Sequence, residues 1–327
     1  MINLKKIGLT ALTGSLVAFS ANAADFSGSV NGAVETTYVS SGGSAGNNLT
    51  GNNFGANSAL TLSASGDVGF GTVSATRAFG DMGGIATAYQ TLDMGDRGVL
   101  SFDTTGGALV GLTANDDLLP TAYEESWTGV VASDGIAGLG SVNVIGYTNT
   151  IEGVSISAGY SDLGTATGES AGSGDGAHGS AMDLYVSYAA AEGLTVGAGI
   201  SQNSSTSVGG GSGDKEEVLA QAVYSMGAIS VGAKYAEIEQ GTAGADDLQY
   251  MGASIAFNVN ENFAVSYGMQ EGSSDATGTP DEDVWGISAA YTVGAASVRL
   301  HRSESKGTGF VTNAKDEHTE LGVVLAF

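Results

Sequence analysis

Residues able to do chemistry are scarce in this chain of 327, and they gather in one stretch. ANDDLLPTAYEESW, Ala114 to Trp127, holds one of the two prolines, one of the two tryptophans and four carboxylates, Asp116, Asp117, Glu124 and Glu125. Clustered carboxylates can act as a general acid and base, as cation ligands, or as fixed charges that sort ions in a narrow passage. The three histidines, His178, His301 and His318, have no metal-ligand spacing to one another. Gly174 to Gly179 fits G-x-G-x-x-G, but no helix follows to receive a phosphate. Gly42 to Gly46 and Gly168 to Gly172 fit G-x-S-x-G without the strand-to-helix turn that exposes a nucleophile. Acids near the ends of later segments, Asp246, Asp247, Asp275, Asp281, Glu282 and Asp283, offer hard oxygen ligands suited to structural Ca2+, although a solvated, self-repelling rim is the plainer reading. No other cofactor is expected.

Which chemistry the cluster performs depends on the elements around it. Lys5 and Lys6, the mostly apolar run Ile7 to Phe19 and the small-x-small site Ala21-Asn22-Ala23 read as an export signal, residues 1–23, with a mature chain over 24–327. Removing that signal moves the net charge from -25 to -27, which argues against nucleic acid as a partner, since phosphates call for basic patches. With no cysteine in an exported chain there is neither a disulfide framework nor thiol chemistry. The 53 glycines and few large aliphatic residues do not suit an ordinary soluble core, yet 42% apolar residues and only two prolines argue against disorder.

Periodicity sets the class. Val154, Ile156, Ala158 and Tyr160 alternate with Ser155, Ser157, Gly159 and Ser161, and Leu194, Val196, Ala198 and Ile200 alternate with Thr195, Gly197, Gly199 and Ser201. Period two marks strands with one apolar face. Sixteen such segments begin near Ser27, Ser58, Gly71, Gly84, Arg97, Gly140, Val154, Ser180, Leu194, Glu216, Ile229, Leu248, Asn262, Asp283, Ala295 and Glu317. Short connections alternate with long polar ones, as in an up-and-down antiparallel meander whose two ends face different surroundings. An even strand count and asymmetric loops predict a closed transmembrane β-barrel, with the apolar face toward lipid and the Ser/Gly/Thr face around a wet interior. Tyr38, Tyr160, Tyr188, Tyr224, Tyr235, Tyr267 and Tyr291 lie toward strand ends on the apolar register, where interfacial girdles sit. By the same register Lys234, Arg299 and His301 face inward, whereas Arg77 needs a register shift to do so.

The closing HTELGVVLAF puts Thr319, Leu321, Val323, Leu325 and Phe327 on one face and stops on the aromatic. It resembles the last strand of Gram-negative outer-membrane proteins, whose terminal Phe is read by the barrel-assembly machinery. Together with the opening DFSGSVNGAVETTYV and the central NDDLLPTAYEE, the chain resembles the sixteen-stranded general porins of Gram-negative bacteria, closest to the alphaproteobacterial type. That resemblance implies a homotrimer in the outer membrane, in contact with lipid and lipopolysaccharide, passing ions and small hydrophilic solutes. It also implies that the long connection at about 104–139 folds into the lumen as a constriction. Asp116, Asp117, Glu124 and Glu125 would then face a basic wall drawn from Arg77, Lys234, Arg299 and His301. An excess of acids favours cations. The competing reading is a closed barrel whose outer loops serve as an adhesin or phage receptor, and no enzyme activity is expected.

Overall fold

The computed structural model describes residues 27–44, 52–80, 84–104, 110–112, 114–115, 118–130, 136, 143–162, 178–206, 213–241 and 245–327. The proposed export signal, 1–23, lies outside them. The described residues form sixteen strands: β1 Ser27–Gly43, β2 Phe54–Asp67, β3 Thr72–Phe79, β4 Ile85–Asp93, β5 Val99–Asp103, β6 Val144–Ile151, β7 Val154–Asp162, β8 His178–Ala191, β9 Leu194–Thr206, β10 Gly213–Met226, β11 Ile229–Glu239, β12 Leu248–Asn260, β13 Phe263–Ser274, β14 Glu282–Val293, β15 Ala296–Lys306 and β16 Lys315–Ala326. Each begins within four residues of the position read from the sequence. Every strand pairs antiparallel with its neighbours in sequence, and the ring closes between β1 and β16. Closure matters because an unpaired sheet edge in hydrocarbon leaves backbone N–H and C=O groups without partners.

At the seam, Ala33 to Gly43 pair with Asp316 to Ala326. Gly32 and Phe327 extend this by exchanging both backbone hydrogen bonds at 2.9 Å. A Cβ on Gly32 would stand 2.5 Å from the Phe327 ring, so the terminal aromatic lies on the seam against a residue that must be small.

The two faces of the ring differ as the alternation requires. Ile287 is opposite Arg302 on one face, and Ser288 is opposite His301 on the other. The first face carries Tyr160, Tyr188, Tyr224, Tyr267, Tyr291, Leu300, Leu321 and Leu325, all exposed. So much exposed apolar surface is costly in water and is the lipid face of a barrel. The opposite, inward register carries buried Asp183, Gln221, Lys234, Ser288, His301 and Ser303.

One feature of the interior departs from the expectation of a merely small and polar lining. Tyr185, Leu219, Ala236, Ile238 and Tyr250, on the inward register of β8, β10, β11 and β12, form an apolar cluster with Leu112 and Ile136 of the β5–β6 connection. A segment lying along a wet wall needs apolar burial to stay there, at about 25 cal/mol per Å² removed from water, and these residues supply it.

Candidate functional site

The connection between β5 and β6 starts after a strand of only five residues, which ends at Asp103. Two glycines near its described ends require left-handed backbone: Gly111 has φ +73° and Gly129 has φ +76°. Neither has room for a Cβ, since one would collide with the Asp183 carboxylate at Gly111 and with the His318 ring at Gly129. Between them the described residues make turns and bends, with no helix among them. After Pro120 the nearest turn hydrogen bonds run from the Thr128 amide to the Glu125 carbonyl and from the Val130 amide to the Trp127 carbonyl.

This segment tracks the inward face strand by strand. The Gly111 amide donates to Ser157 Oγ on β7 at 2.7 Å, and the Leu112 amide donates to Asp183 Oδ2 on β8 at 2.9 Å. Gln221 on β10 donates to the Asn115 carbonyl. Ser254 on β12 donates to the Pro120 carbonyl at 2.8 Å, and the Ala122 amide donates to Ser266 Oγ on β13 at 2.8 Å. Ser288 on β14 both accepts from the Glu124 amide at 3.2 Å and donates to the Glu124 carbonyl at 2.7 Å. Ser303 on β15 donates to the Thr128 carbonyl at 2.6 Å, and Tyr123 donates to Glu320 Oε1 on β16 at 2.7 Å. Glycine on the wall is what allows this approach: a Cβ on Gly232 would meet Pro120 at 2.5 Å, and one on Gly286 would meet the Ser126 backbone at 2.6 Å.

The basic residues correct the expected arrangement. Lys234 lies under the segment, its Nζ 4.1 Å from the Trp127 ring centroid, and the Arg299 guanidinium is 5.2 Å from the Tyr123 ring centroid. His301 also lies under it, hydrogen-bonded through Nδ1 to Ser288 Oγ at 2.9 Å and through Nε2 to the Thr128 carbonyl at 3.3 Å. These three face inward as their register implied, but they hold the acidic segment from beneath and do not stand across from it. Arg77 pairs with Leu62 and Ala88 on the outward register, so it is no part of the inner wall. Asp116 and Asp117 lie outside the described residues.

Glu124 and Glu125 are described. The Thr128 hydroxyl lies 3.1 Å from Glu124 Oε2 and 3.4 Å from Glu125 Oε2. Burial raises the Glu124 carboxyl above its ordinary range, with Glu125 and Glu320 pushing the same way, while hydrogen bonds from Thr128 and Tyr123 oppose the rise. Burial raises the Tyr123 hydroxyl as well, reinforced by its bond to Glu320. The inward register of β1 to β5 presents Glu35, Asp67, Asp93 and Asp103 and, among the described residues, no Lys or Arg.

Sequence reading missed the anchors Asp183, Gln221, Ser254, Ser266, Ser288, Ser303 and Glu320. It also missed a chain of polar contacts, in which Ser41 Oγ is 2.7 Å from His318 Nδ1 and His318 Nε2 is 3.5 Å from Glu320 Oε2. The residue types match a nucleophile, a base and an orienting acid, although β1 and β16 are paired in the strand ladder here and acyl transfer would also need a pair of donors aimed at an oxyanion. Among the described residues, no three His, Asp or Glu side chains are grouped to hold a metal ion. Three of the acids considered for Ca2+ accept backbone hydrogen bonds, Asp247 from Gln240, Asp275 from Asp247 and Glu282 from Gly309.

A family model described as Gram-negative porin matches residues 8–294. No curated protein matches the chain. Among solved structures, an anion-selective porin from Comamonas acidovorans is 16% identical, covering 93% of this chain and 100% of that one at a TM-score of 0.66. OmpF of Salmonella typhi in complex with daunomycin is 13% identical, covering 92% and 97% at 0.66. The trimer form of OmpT, an outer-membrane protein of Vibrio cholerae, is 13% identical, covering 92% and 99% at 0.66. At such identities the structures speak for the fold and not for the sign of the ions passed. The family match over most of the chain, joined to the closed sixteen-strand ring, establishes that this chain belongs to the Gram-negative porin family of outer-membrane channels.

Proposed function

We propose that the chain is a passive, cation-favouring diffusion channel for ions and small hydrophilic solutes, with the β5–β6 connection as its constriction and no turnover chemistry. One observation carries the cation preference: of the inward cations, Lys234 and Arg299 are stacked on aromatic rings of the connection and Lys215 is paired with Glu217, while the remaining wall, β1 to β5, offers carboxylates and hydroxyls. A ring of fixed negative charge in a water-filled passage concentrates counter-ions. The usual pairing of an acidic loop with a facing basic wall would produce a strong transverse field, and this arrangement would not.

Self-association, to a homotrimer, belongs to the same reading. Arg77 projects outward from β3 with no hydrogen bond or ion pair among the described residues, between Leu62 and Ala88. A lipid-facing Arg at mid-depth costs about 2–4 kcal/mol, so this face is better covered by a second copy than by hydrocarbon.

Planar-bilayer recording under a salt gradient tests the proposal. Stepwise conductance with a cation-signed reversal potential at neutral pH is expected. Absence of conductance, an anion-signed potential, or a potential unmoved by replacing Asp116, Asp117, Glu124 and Glu125 with their amides would overturn it.

A further inference from the structure

The wall beneath the β5–β6 connection holds more oxygen ligands than anchoring the connection uses. On the inward register Gly159, Asp183, Ser201 and Glu217 are successive cross-strand partners on β7, β8, β9 and β10. Asp183, Ser201 and Glu217 are each at most 5% exposed. The Leu112 amide donates to Asp183 Oδ2 at 2.9 Å. Asp183 Oδ1, however, is buried with no hydrogen-bond partner among the described residues, and so is Ser201 Oγ. Neighbouring strands lie about 4.8 Å apart, which puts one carboxylate on either side of the β9 hydroxyl.

Lys215, on the same face of β10, is 2.5 Å from Glu217 Oε1 and supplies one positive charge to the two carboxylates. Asp183 is in no ion pair among the described residues. Its surroundings are apolar: Tyr185 and Leu219, the next inward residues of β8 and β10, belong to the cluster with Leu112, and Val110 packs with Ala181 on the other side. A buried carboxylate without a counter-charge and a buried hydroxyl without a partner are both costly. A cation that takes oxygen donors relieves the two together, since carboxylate and hydroxyl oxygens suit hard cations. The single outstanding negative charge matches a monovalent one. We propose that an alkali cation lies over Ser201, bound by Asp183 Oδ1 and Ser201 Oγ and attracted by Glu217, and that it fastens the connection to the wall. The coupling follows from what covers the site: the Gly111 backbone lies against Asp183 Oδ1, where a Cβ would collide, so water is shut out only while the connection is seated. Lifting it returns both oxygens to water, and the ion loses its advantage there.

Two measurements test this. Thallium(I), a monovalent ion that occupies alkali sites and scatters X-rays anomalously, is soaked into crystals of the protein. A peak within coordination reach of Asp183 and Ser201 is expected, and no peak there overturns the proposal. In the second, limited proteolysis of the detergent-solubilised protein is followed at fixed ionic strength as sodium or potassium chloride replaces choline chloride, with the protease calibrated on a soluble substrate in the same salts. An ion that binds only the seated state multiplies the seated-to-lifted ratio by one plus its concentration over its dissociation constant. Cleavage between residues 104 and 143 should therefore slow hyperbolically, by about elevenfold at about ten times that constant. Asp183→Asn keeps an oxygen for the Leu112 amide and removes the charge, so its cleavage should be the same in choline and in sodium. Equal cleavage of the unaltered protein in the two salts overturns the proposal, because a proton on Asp183 then balances the row. Sodium protection that persists in Asp183→Asn places the ion elsewhere and overturns it too. If that variant does not fold, Ser201→Ala decides, since it leaves the Asp183–Leu112 bond in place: sodium protection should weaken, and unchanged protection overturns the assignment.

Discussion

Leu219→Ala should loosen the constriction without melting the barrel. Leu219 is fully buried on the inward register of β10, packed in the cluster that Leu112 and Ile136 complete. Truncating a buried leucine to alanine costs about 2–5 kcal/mol. That cost acts on the seated connection, because a lifted connection leaves position 219 in water in either form. β10 itself keeps its ladders to β9 and β11, so the sheet has little to lose. At about 1.4 kcal/mol per tenfold change, the lower bound raises the lifted population by roughly 30-fold. Limited proteolysis of the detergent-solubilised protein measures this population when opening and closing are faster than cleavage. Cleavage between residues 104 and 143 should accelerate by about that factor, open-channel noise in bilayers should rise, and the melting temperature of the barrel should hardly move. An unchanged cleavage rate, or a melting temperature that falls while cleavage does not change, would show that the apolar cluster supports the sheet and not the connection.

Acidification should remove cation preference in two phases, because the raised Glu124 carboxyl takes its proton while exposed carboxylates, with ordinary values near 4.3 for Glu, are still ionised; the reversal potential should start to fall above that value, and Glu124→Gln should erase only the earlier phase. Lys234→Gln removes a cation–π contact worth about 0.5–2 kcal/mol, so proteolysis of the connection should speed up by about twofold or more while the sign of the reversal potential stays the same, a result a selectivity-setting wall lysine would not give. Arg77→Leu gives opposite outcomes for its two possible surroundings: if a second copy covers β3, oligomers resisting detergent on gels become less stable, whereas a lipid-facing position would gain stability from the substitution. Gly286→Val drives a side chain into the Ser126 backbone and should displace the connection, detected as altered unit conductance with an unchanged strand signal in circular dichroism.

Strand positions were legible because lipid and water impose opposite demands on alternate residues, and segments such as Val154 to Tyr160 obey both. The seat of the connection was far less legible. Serine and glycine on the inward register serve equally well as plain wall or as anchors, and nothing in the letters separates Ser288, which holds Glu124, from Ser297, which does not. A signal did exist for the apolar cluster: Val218 and Leu219 are adjacent large apolar residues, and Ile238 sits between two glutamates, so Leu219 and Ile238 fall where small or polar residues were expected. Lys234 shows the limit from the other side. Its inward direction follows from register, but whether it meets an aromatic ring or a carboxylate depends on how a turn-rich segment with no period of its own crosses the wall.

The seam between β1 and β16 bears on the order of events in assembly. Its partners are about 290 residues apart, and bringing such distant segments together carries the largest loop-closure entropy in the molecule. The other ladders join neighbours in sequence and can zip as hairpins, but this one has no partner until the last strand has been delivered. A growing sheet therefore keeps two open edges through nearly the whole of its insertion and becomes watertight in a single final step. Slow delivery of β16, or a weakened Gly32–Phe327 contact, would lengthen the interval in which the membrane is breached and the edges are free to pair with another chain.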